Sequence, residues 1–180
     1  MKLDLACGTS VQPGFQGIDS RPLPDVWVAN LFDAPWLIAT PLTPVATELG
    51  TSTIDEIFCS HFVEHVPDLI GFMNEVWRVC KPGALVTIVH PYQHSNRAWQ
   101  DPTHVRALNE DSWPYYDAEW RQKTTLEYGA FDCDFVCENV EYVLAETLRS
   151  LPMTPELEAM CRHGVNVVDD LVVTLRVRKG

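Results

Sequence analysis

Short apolar runs recur along the first half of the chain, each followed by small or polar residues. The runs at Lys2–Cys7, Val26–Asn30 and from Ile54 onward are rich in apolar side chains. Such runs are typical of parallel strands that are buried on both faces of a sheet. Shorter runs at Gln16–Asp19 and Leu85–Val89 predict two further strands.

A different period appears over Asp68–Cys80, where apolar side chains recur at helical spacing. Pro67 stands at the start of this segment, and the Pro82-Gly83 pair stops it. The pattern therefore predicts an amphipathic helix. Together with the strands before and after it, this helix forms a βαβ unit.

The second half of the chain predicts three elements. Phe131–Tyr142 reads as a strand and Val167–Arg178 as a final strand. Thr154–Arg162 reads as a helix that Thr154 caps, with Pro155 at its first position. Strands that alternate with crossovers and end in an antiparallel pair indicate an α/β sheet.

Two connections are less regular. Residues 33–52 hold prolines and threonines, and we expect a surface segment in which a short helix starts at Trp36. Residues 91–131 form an aromatic-rich insertion, in which Asn109 or Asp111 could cap a short helix. We expect one domain over residues 1–180 that contains this insertion.

Composition narrows the classes of function. The chain has 180 residues, 46% of them hydrophobic, which supports a single domain with a core. It shows no apolar run near twenty residues and no signal peptide, so we expect a cytoplasmic protein without membrane contact. The net charge of −12 disfavours a nucleic-acid partner and favours a cationic or neutral small molecule or a protein, although solubility alone also explains such a charge.

The six cysteines stand at 7, 59, 80, 133, 137 and 161 and form no CxxC pair. Most lie inside apolar strand or helix patterns. We therefore expect reduced, small buried side chains, with neither a disulfide framework nor a zinc site.

The first segment carries the clearest candidate chemistry. Leu3–Ser10 predicts a strand and a turn of small residues, and Gly17-Ile18-Asp19 predicts a second strand that ends in a carboxylate. Gly8 lets backbone N–H groups approach a ligand, and an acid such as Asp19 can accept both hydroxyls of a ribose. This arrangement suits a nucleoside ligand, although an ordinary strand–turn–strand with a surface aspartate gives the same pattern.

Five segments resemble, in the same order, the motifs of class I S-adenosylmethionine-dependent methyltransferases, in particular the small enzymes of the type 11 group. They are Leu3–Thr9, Asp19, Asn30–Asp33, Ile54–His65 and Arg78–Leu85. The Arg-Val-Cys-Lys-Pro-Gly turn and the Glu-His pair at 64–65 are the more specific matches. The resemblance extends from about residue 2 to residue 91.

The resemblance implies a three-layer, Rossmann-like methyltransferase fold with strand order 3-2-1-4-5-7-6, mostly parallel, with an antiparallel last strand. Three departures are evident. Ala6 and Ser10 replace two of the usual glycines of the first motif. Only about ten residues separate Gly8 from Asp19, so we expect the first crossover helix to be missing. The chain starts directly at strand one, so we also expect the N-terminal helices to be missing.

The resemblance also implies S-adenosylmethionine as cofactor. Asp4, Ala6 and Gly8 would lie under its methionine and ribose, and Asp19 would hold the ribose hydroxyls. Four further residues are expected along the adenine and the methyl donor: Asn30, Leu31, Ser60 and His61.

Methyl transfer from a sulfonium is an in-line displacement that depends chiefly on alignment, so an enzyme of this class can lack a recognisable catalytic residue. In the stretch after strand five, His104 or His90 is a candidate base and Asp101 a carboxylate that orients it. We expect five side chains to contact a small-molecule acceptor: Glu64, His65, Arg106, Trp99 and Tyr115.

Purely structural roles for these residues also fit the sequence. Glu64 also suits a structural carboxylate near a helix start, and the aromatic side chains suit a hydrophobic lid over the sheet. The loop histidines do not follow a known ligand spacing, so we expect no bound metal. A metal-dependent hydrolase that uses these histidines is the third alternative. A non-catalytic or partner-dependent module that keeps the methyltransferase fold is the main rival hypothesis. Separately, a second copy of the chain could supply the missing cover over the site as a homo-oligomer.

Overall fold

The computed structural model describes residues 1–124 and 129–180. Within these residues the strands are β1 (Lys2–Leu5), β2 (Gln16–Asp19), β3 (Trp27–Val28), β4 (Leu37–Ile38), β5 (Thr47–Glu48), β6 (Ile54–Ser60), β7 (Cys80–Pro91), β8 (Phe135–Leu144) and β9 (Val168–Val177). Seven of them form one sheet in the order β3-β2-β1-β6-β7-β9-β8. Strand β9 runs antiparallel to both of its neighbours, and the other pairs are parallel. The predicted strand order and the antiparallel last strand are confirmed.

The described helices are α1 (Leu69–Val79), α2 (Arg97–Gln100), α3 (Ala118–Thr124) and α4 (Pro155–His163), with 3₁₀ turns at Val63–His65, Glu110–Ser112 and Pro114–Tyr116. Helix α1 follows its predicted span: Asp68 caps it by accepting from the backbone N–H of Gly71 at 2.9 Å. Thr154 caps α4 in the same way through Leu157, as predicted. Asn109 caps the 3₁₀ turn that follows it.

The structure corrects the prediction of a helix at Trp36. The next residues form β4, which pairs antiparallel with β5 in a small hairpin. The Trp36 side chain is fully buried, and its indole N–H donates to the carbonyl of Leu31 at 3.2 Å. Because this ring packs against Phe72 of α1, the segment is anchored to the core rather than spread on the surface. Tyr128, one of the aromatic residues of the insertion, lies outside the described residues.

The connection from β1 to β2 contains turns and no helix over residues 6–15. Backbone hydrogen bonds close it, from Cys7 to the carbonyl of Ile18 and from Ser10 to that of Cys7. The predicted loss of the first crossover helix is confirmed.

The two faces of the sheet differ in burial. On one face Val86 and Ile88 of β7 are buried, and they pack with Leu175 of β9 and with the helices in one core. On the other face the alternating positions of β7, such as Leu85 and Val89, are half-buried. On this second face Phe15, from the connection between β1 and β2, packs edge-on against Phe58 of β6. The second face of the sheet is therefore the less buried of the two.

All six cysteines are free, in agreement with the prediction. Cys59, Cys80, Cys133 and Cys161 are buried. Burial raises the pKa of the Cys80 and Cys133 thiols to about 12, so these groups stay protonated at neutral pH. Among the described residues, no helix combines the length and the hydrophobicity that crossing a bilayer requires.

Candidate functional site

The candidate site lies at the carboxyl ends of the parallel strands. The chain passes from β1 to β2 and β3 on one side of β1, and then crosses to β6 on its other side. Ligands of open α/β sheets bind outside the carboxyl ends of the strands at such a reversal. Two clefts open here. We call them the glycine-loop cleft (Asp4, Ala6, Cys7, Ser10, Gln12, Phe58, Ser60) and the histidine cleft (His61, Glu64, His65, Pro91, Arg97, Gln100, Asp101, His104).

In the glycine loop the backbone turns back on itself. Gly8 has a φ of +57° and Ala6 a φ of +55°. Glycine adopts this left-handed region freely, whereas an L-residue such as alanine pays roughly 1–2 kcal/mol there. The loop therefore keeps a conformation suited to glycine even where the sequence has alanine.

Asp19, at the end of β2, is held by the chain itself. One carboxylate oxygen accepts the backbone N–H of Gly8 at 2.9 Å, and the other accepts both the backbone N–H and the Nε–H of Arg21 at 3.0 Å. Burial acts to raise the pKa of Asp19, but the hydrogen bonds from Arg21 and Gly8 outweigh it and hold that pKa below its usual range. Asp19 is therefore an ionised acceptor next to the glycine turn.

Asp4 and Ser60 line the glycine-loop cleft with Ala6, as the cofactor prediction requires. The carboxylate of Asp4 accepts the backbone N–H of Gln12 at 2.7 Å. Burial raises the pKa of Asp4. The cleft has a volume of about 270 Å³.

Asn30 and Leu31 lie along a neighbouring cleft or its rim. Leu31 is buried and lines that cleft together with Phe32 and Trp36. The side-chain carbonyl of Asn30 accepts the backbone N–H of Phe32 at 3.1 Å, and its amide donates to Asp33 at 2.6 Å. Each polar end of Asn30 therefore makes one hydrogen bond within its own turn.

Two loops that are far apart in sequence dock on each other at the histidine cleft. The backbone N–H of Val105 donates to the carbonyl of Glu64 at 2.9 Å. The hydroxyl of Thr103 lies 3.0 Å from Nδ1 of His65. These contacts join the Glu-His pair after β6 to the Asp-Pro-Thr-His stretch after β7.

His61 forms one wall of the histidine cleft. It has a φ of +52°, and its backbone N–H donates to the carbonyl of Val89 at 2.8 Å. Its Nδ1 lies 3.5 Å from Oε1 of Glu64 and its Nε2 lies 4.0 Å from Oδ2 of Asp170. The contact with Glu64, supported by Asp170, raises the pKa of His61 against the effect of burial. A strained backbone that aims a titratable group into a cleft is typical of functional sites.

Two of the three candidate catalytic residues line the histidine cleft, and the third is buried away from it. His104 and Asp101 line the histidine cleft, with Nε2 of His104 4.0 Å from Oδ2 of Asp101. His90 does not line it: its ring is fully buried and lies 5.5 Å from that of Trp113. Burial lowers the pKa of His90 to about 4, so the ring is neutral and closed off from solvent. Its predicted role as a base does not fit this position.

Three of the residues predicted to contact the acceptor do not line the histidine cleft. Arg106 donates to the backbone carbonyls of Val66 and Pro67, so its guanidinium ties the two loops together and does not line the histidine cleft. Trp99 is 71% exposed, with its indole N–H on the carbonyl of Gln93. Tyr115 lines a separate cleft with Ile70, Ser112, Tyr116 and Phe131. Glu64 and His65 do line the histidine cleft, and their contact with an acceptor stays a prediction.

Sequence reasoning missed Arg97, Gln100 and Asp170. Arg97 and Gln100 line the cleft, and Arg97 donates to Oδ2 of Asp170 at 2.9 Å. Asp170 is buried inside β9, between Asp169 and Leu171. A carboxylate inside an apolar strand was the signal that could have identified it, because buried charges are rarely retained without a partner or a function.

Comparison with known proteins agrees with this architecture. Residues 36–88 match the family model described as "Methyltransferase domain". No curated protein sequence matches the chain.

Solved structures of methyltransferases share the fold. An S-adenosylmethionine-dependent methyltransferase from Archaeoglobus fulgidus is 15% identical, with a TM-score of 0.59 over 97% of this chain and 85% of that one. One from Mesorhizobium loti is 13% identical, with a TM-score of 0.54 over 97% and 90% of the two chains. A third match, at 14% identity and a TM-score of 0.55 over 99% and 82%, comes from a complex between the Haloferax volcanii Trm112 methyltransferase activator and a methyltransferase.

The resemblance to class I S-adenosylmethionine-dependent methyltransferases is thereby confirmed. The chain has their fold, and the segment that matches the methyltransferase-domain model extends from β4 into β7.

Proposed function

We propose that this protein transfers a methyl group from S-adenosylmethionine to a small-molecule acceptor. The observation that carries this proposal is the pairing of Gly8 and Asp19 across the carboxyl ends of β1 and β2, at the strand reversal of a methyltransferase sheet. A backbone that turns at Gly8 and a carboxylate directly beside it suit the methionine and ribose parts of that cofactor. The methyltransferase-family match supports the same cofactor.

In this proposal each part of the glycine-loop cleft has a separate role. Asp19 accepts the ribose hydroxyls after Arg21 has moved from its carboxylate. Asp4 and Ala6 lie beneath the methionine part, and Leu31 contributes apolar surface for the adenine. Asn30 can contact the adenine without losing its present partners, because its amide has a second N–H and its carbonyl a second lone pair.

The histidine cleft is the proposed place for the acceptor. Ser60 and His61 end β6 between the two clefts, so an acceptor there approaches the methyl group from the side opposite the glycine loop. Alignment of the acceptor atom with methyl and sulfur supplies most of the rate, about 7–11 kcal/mol in well-oriented systems. His104, oriented from Asp101, is the candidate base for an acceptor that must lose a proton.

Calorimetric titration with S-adenosylmethionine and S-adenosylhomocysteine tests the proposal. We expect wild-type protein to bind both, and Asp19→Ala to weaken binding roughly 10- to 100-fold, because one or two hydrogen bonds to a charged acceptor are lost. Glu158→Ala, an exposed acid on α4, is the matched control and should bind as wild type does. Thermal unfolding of each variant checks that it is folded. Equal binding by Asp19→Ala would refute the assignment of this carboxylate.

A partner-dependent module that keeps the methyltransferase fold is the second candidate function. It is favoured by the second face of the sheet, where Phe58, Leu85 and Val172 are only half-buried. One structural neighbour comes from a complex with an activator protein, which supports the same candidate. Wild-type protein that binds neither form of the cofactor would favour this module. A monomer in size-exclusion chromatography that is fully active alone would exclude it.

A further inference from the structure

The docked loops bring three metal-ligating side chains together. One ligand atom from each of Glu64, His65 and His104 lies within 4.8 Å of the other two. Glu64 and His65 follow β6, whereas His104 follows β7, so the chain segments that supply them are about forty residues apart. Two imidazoles and a carboxylate are a ligand set that Zn²⁺ and similar divalent ions use.

The hydrogen bonds of both histidines leave the same nitrogen available. Nδ1 of His104 lies 3.0 Å from the carbonyl of Ala98, which can only accept, so that nitrogen carries the proton. The hydroxyl of Thr103 donates to Asp101 at 2.7 Å, so Nδ1 of His65 must donate to the same hydroxyl at 3.0 Å. Nε2 is therefore the nitrogen of each ring that can bind a metal ion. Metal-binding histidines are commonly fixed by such an outer hydrogen bond from the other nitrogen.

Glu64 provides the independent sign of a missing ligand. Its side chain is only 4% exposed and lines the histidine cleft. Oε1 lies near His61, but Oε2 is buried and has no hydrogen-bond partner among the described residues. A buried carboxylate oxygen without a partner is costly, and a cation next to it would remove that cost.

We propose that Glu64, His65 and His104 bind a divalent transition-metal ion of the Zn²⁺ type at the histidine cleft. Atoms this close reach a common ion at the usual zinc bond lengths of about 2.0–2.2 Å after a small contraction. Neither sequence cluster contains a complete ligand set, which is why loop spacing alone predicted no metal.

Three protein ligands leave a coordination position free for water or an oxygen of the acceptor. In so far as the chain transfers methyl groups as proposed above, an assignment on which this step rests, the ion would bind an oxygen-bearing acceptor and favour its deprotonated form. The ion would then replace His104 as the group that assists loss of the proton, because Nε2 of His104 cannot bind a metal and accept a proton together. Binding of the ion itself does not depend on that assignment.

The test is titration of chelator-treated full-length protein with ZnCl₂ in the absence of S-adenosylmethionine, followed by calorimetry. We expect one equivalent to bind, at least about tenfold more weakly in Glu64→Gln and His104→Gln, and roughly tenfold more weakly in Thr103→Val, which keeps both histidines but loses the outer hydrogen bond. His163→Gln, on the exposed end of α4, is the matched control and should bind as wild type does.

Cobalt distinguishes this site from the free cysteines. We expect Co²⁺ to give a visible spectrum without thiolate charge-transfer bands, which disappears in His104→Gln. The proposal is overturned if wild-type protein binds no stoichiometric Zn²⁺, if binding is unchanged in both Glu64→Gln and His104→Gln, or if the cobalt spectrum shows thiolate ligation. Because no cofactor is present, failure here leaves the methyl-transfer proposal untouched, and failure of cofactor binding leaves this one untouched.

Discussion

The buried carboxylates at the two clefts, Asp19 and Glu64, differ in how fully their oxygens are hydrogen-bonded. Asp19 beside the glycine loop accepts hydrogen bonds at both oxygens, from Gly8 and Arg21. Glu64 in the histidine cleft is equally buried, yet its Oε2 has no partner among residues 1–124 and 129–180. A ligand must therefore compete with the chain at Asp19, whereas at Glu64 it would satisfy an atom that the fold leaves unsatisfied. An unsatisfied buried group calls for an explanation, and a bound ion is one such explanation.

The largest expected effect is a loss of stability when the two loops that form the histidine cleft are no longer held together. Arg106→Ala removes two charge-assisted hydrogen bonds to the carbonyls of Val66 and Pro67 and leaves a buried carbonyl unpaired. We expect the free energy of unfolding to fall by about 2–3 kcal/mol. Urea denaturation measures it. Arg162→Ala, which removes a 57% exposed side chain that pairs with Glu110 at 3.5 Å, should cost less than about 1 kcal/mol. Equal losses in the two variants would show that Arg106 does not hold the loops together.

The next effect is a pH dependence that arises next to the histidine cleft. Burial lowers the pKa of His90 to about 4, against 6.5 in the unfolded chain. Between these pH values the His90 ring is protonated in the unfolded state but not in the folded state. Stability is therefore lost as the pH falls from about 6.5 toward 4. At about 1.4 kcal/mol per unit, the loss from this group near pH 5 is roughly 2 kcal/mol.

His90→Asn isolates that contribution, because it removes the titration and keeps an N–H that can donate to the carbonyl of Pro91. His61 acts in the opposite direction: its raised pKa contributes stability below about pH 6.5 that is lost as the pH rises through the folded value. We therefore compare wild type and His90→Asn by urea denaturation at pH 7 and pH 5. A wild-type protein that loses no more stability than the variant would contradict the neutral, buried state of His90.

Local patterns explain how much of this molecule could be predicted. The helix at Leu69–Val79 and the cap at Thr154 depend on neighbours within one turn, so periodicity located both. The strand order came from the resemblance, because residues that pair across a sheet are not neighbours in sequence. The hairpin of β4 and β5 was missed because Trp36 is fixed by Leu31 and Phe72, contacts that its local sequence does not reveal.

The candidate site was only half predictable for the same reason. Glu64, His65, Asp101 and His104 were all identified, since their residue types carry chemistry. That Val105 docks on Glu64 depends on two loops from different strands meeting, and no spacing within either loop encodes it. Arg106 was assigned to an acceptor because a cation near a rim suggests an anion, whereas its actual partners are backbone carbonyls.

The smallest effect tests the glycine-loop side of the comparison directly. Arg21 is exposed, yet its side chain occupies the carboxylate of Asp19 that a ribose would require. If the chain competes with the ligand there, Arg21→Ala should tighten binding of S-adenosylhomocysteine by roughly three- to tenfold, the equivalent of about one hydrogen bond no longer displaced. Calorimetry measures this effect against Arg162→Ala, whose affinity should not change. Weaker binding by Arg21→Ala would reverse the interpretation. Arg21 would then contact the ligand and hold Asp19 in position to bind it, rather than compete with the ligand for that carboxylate.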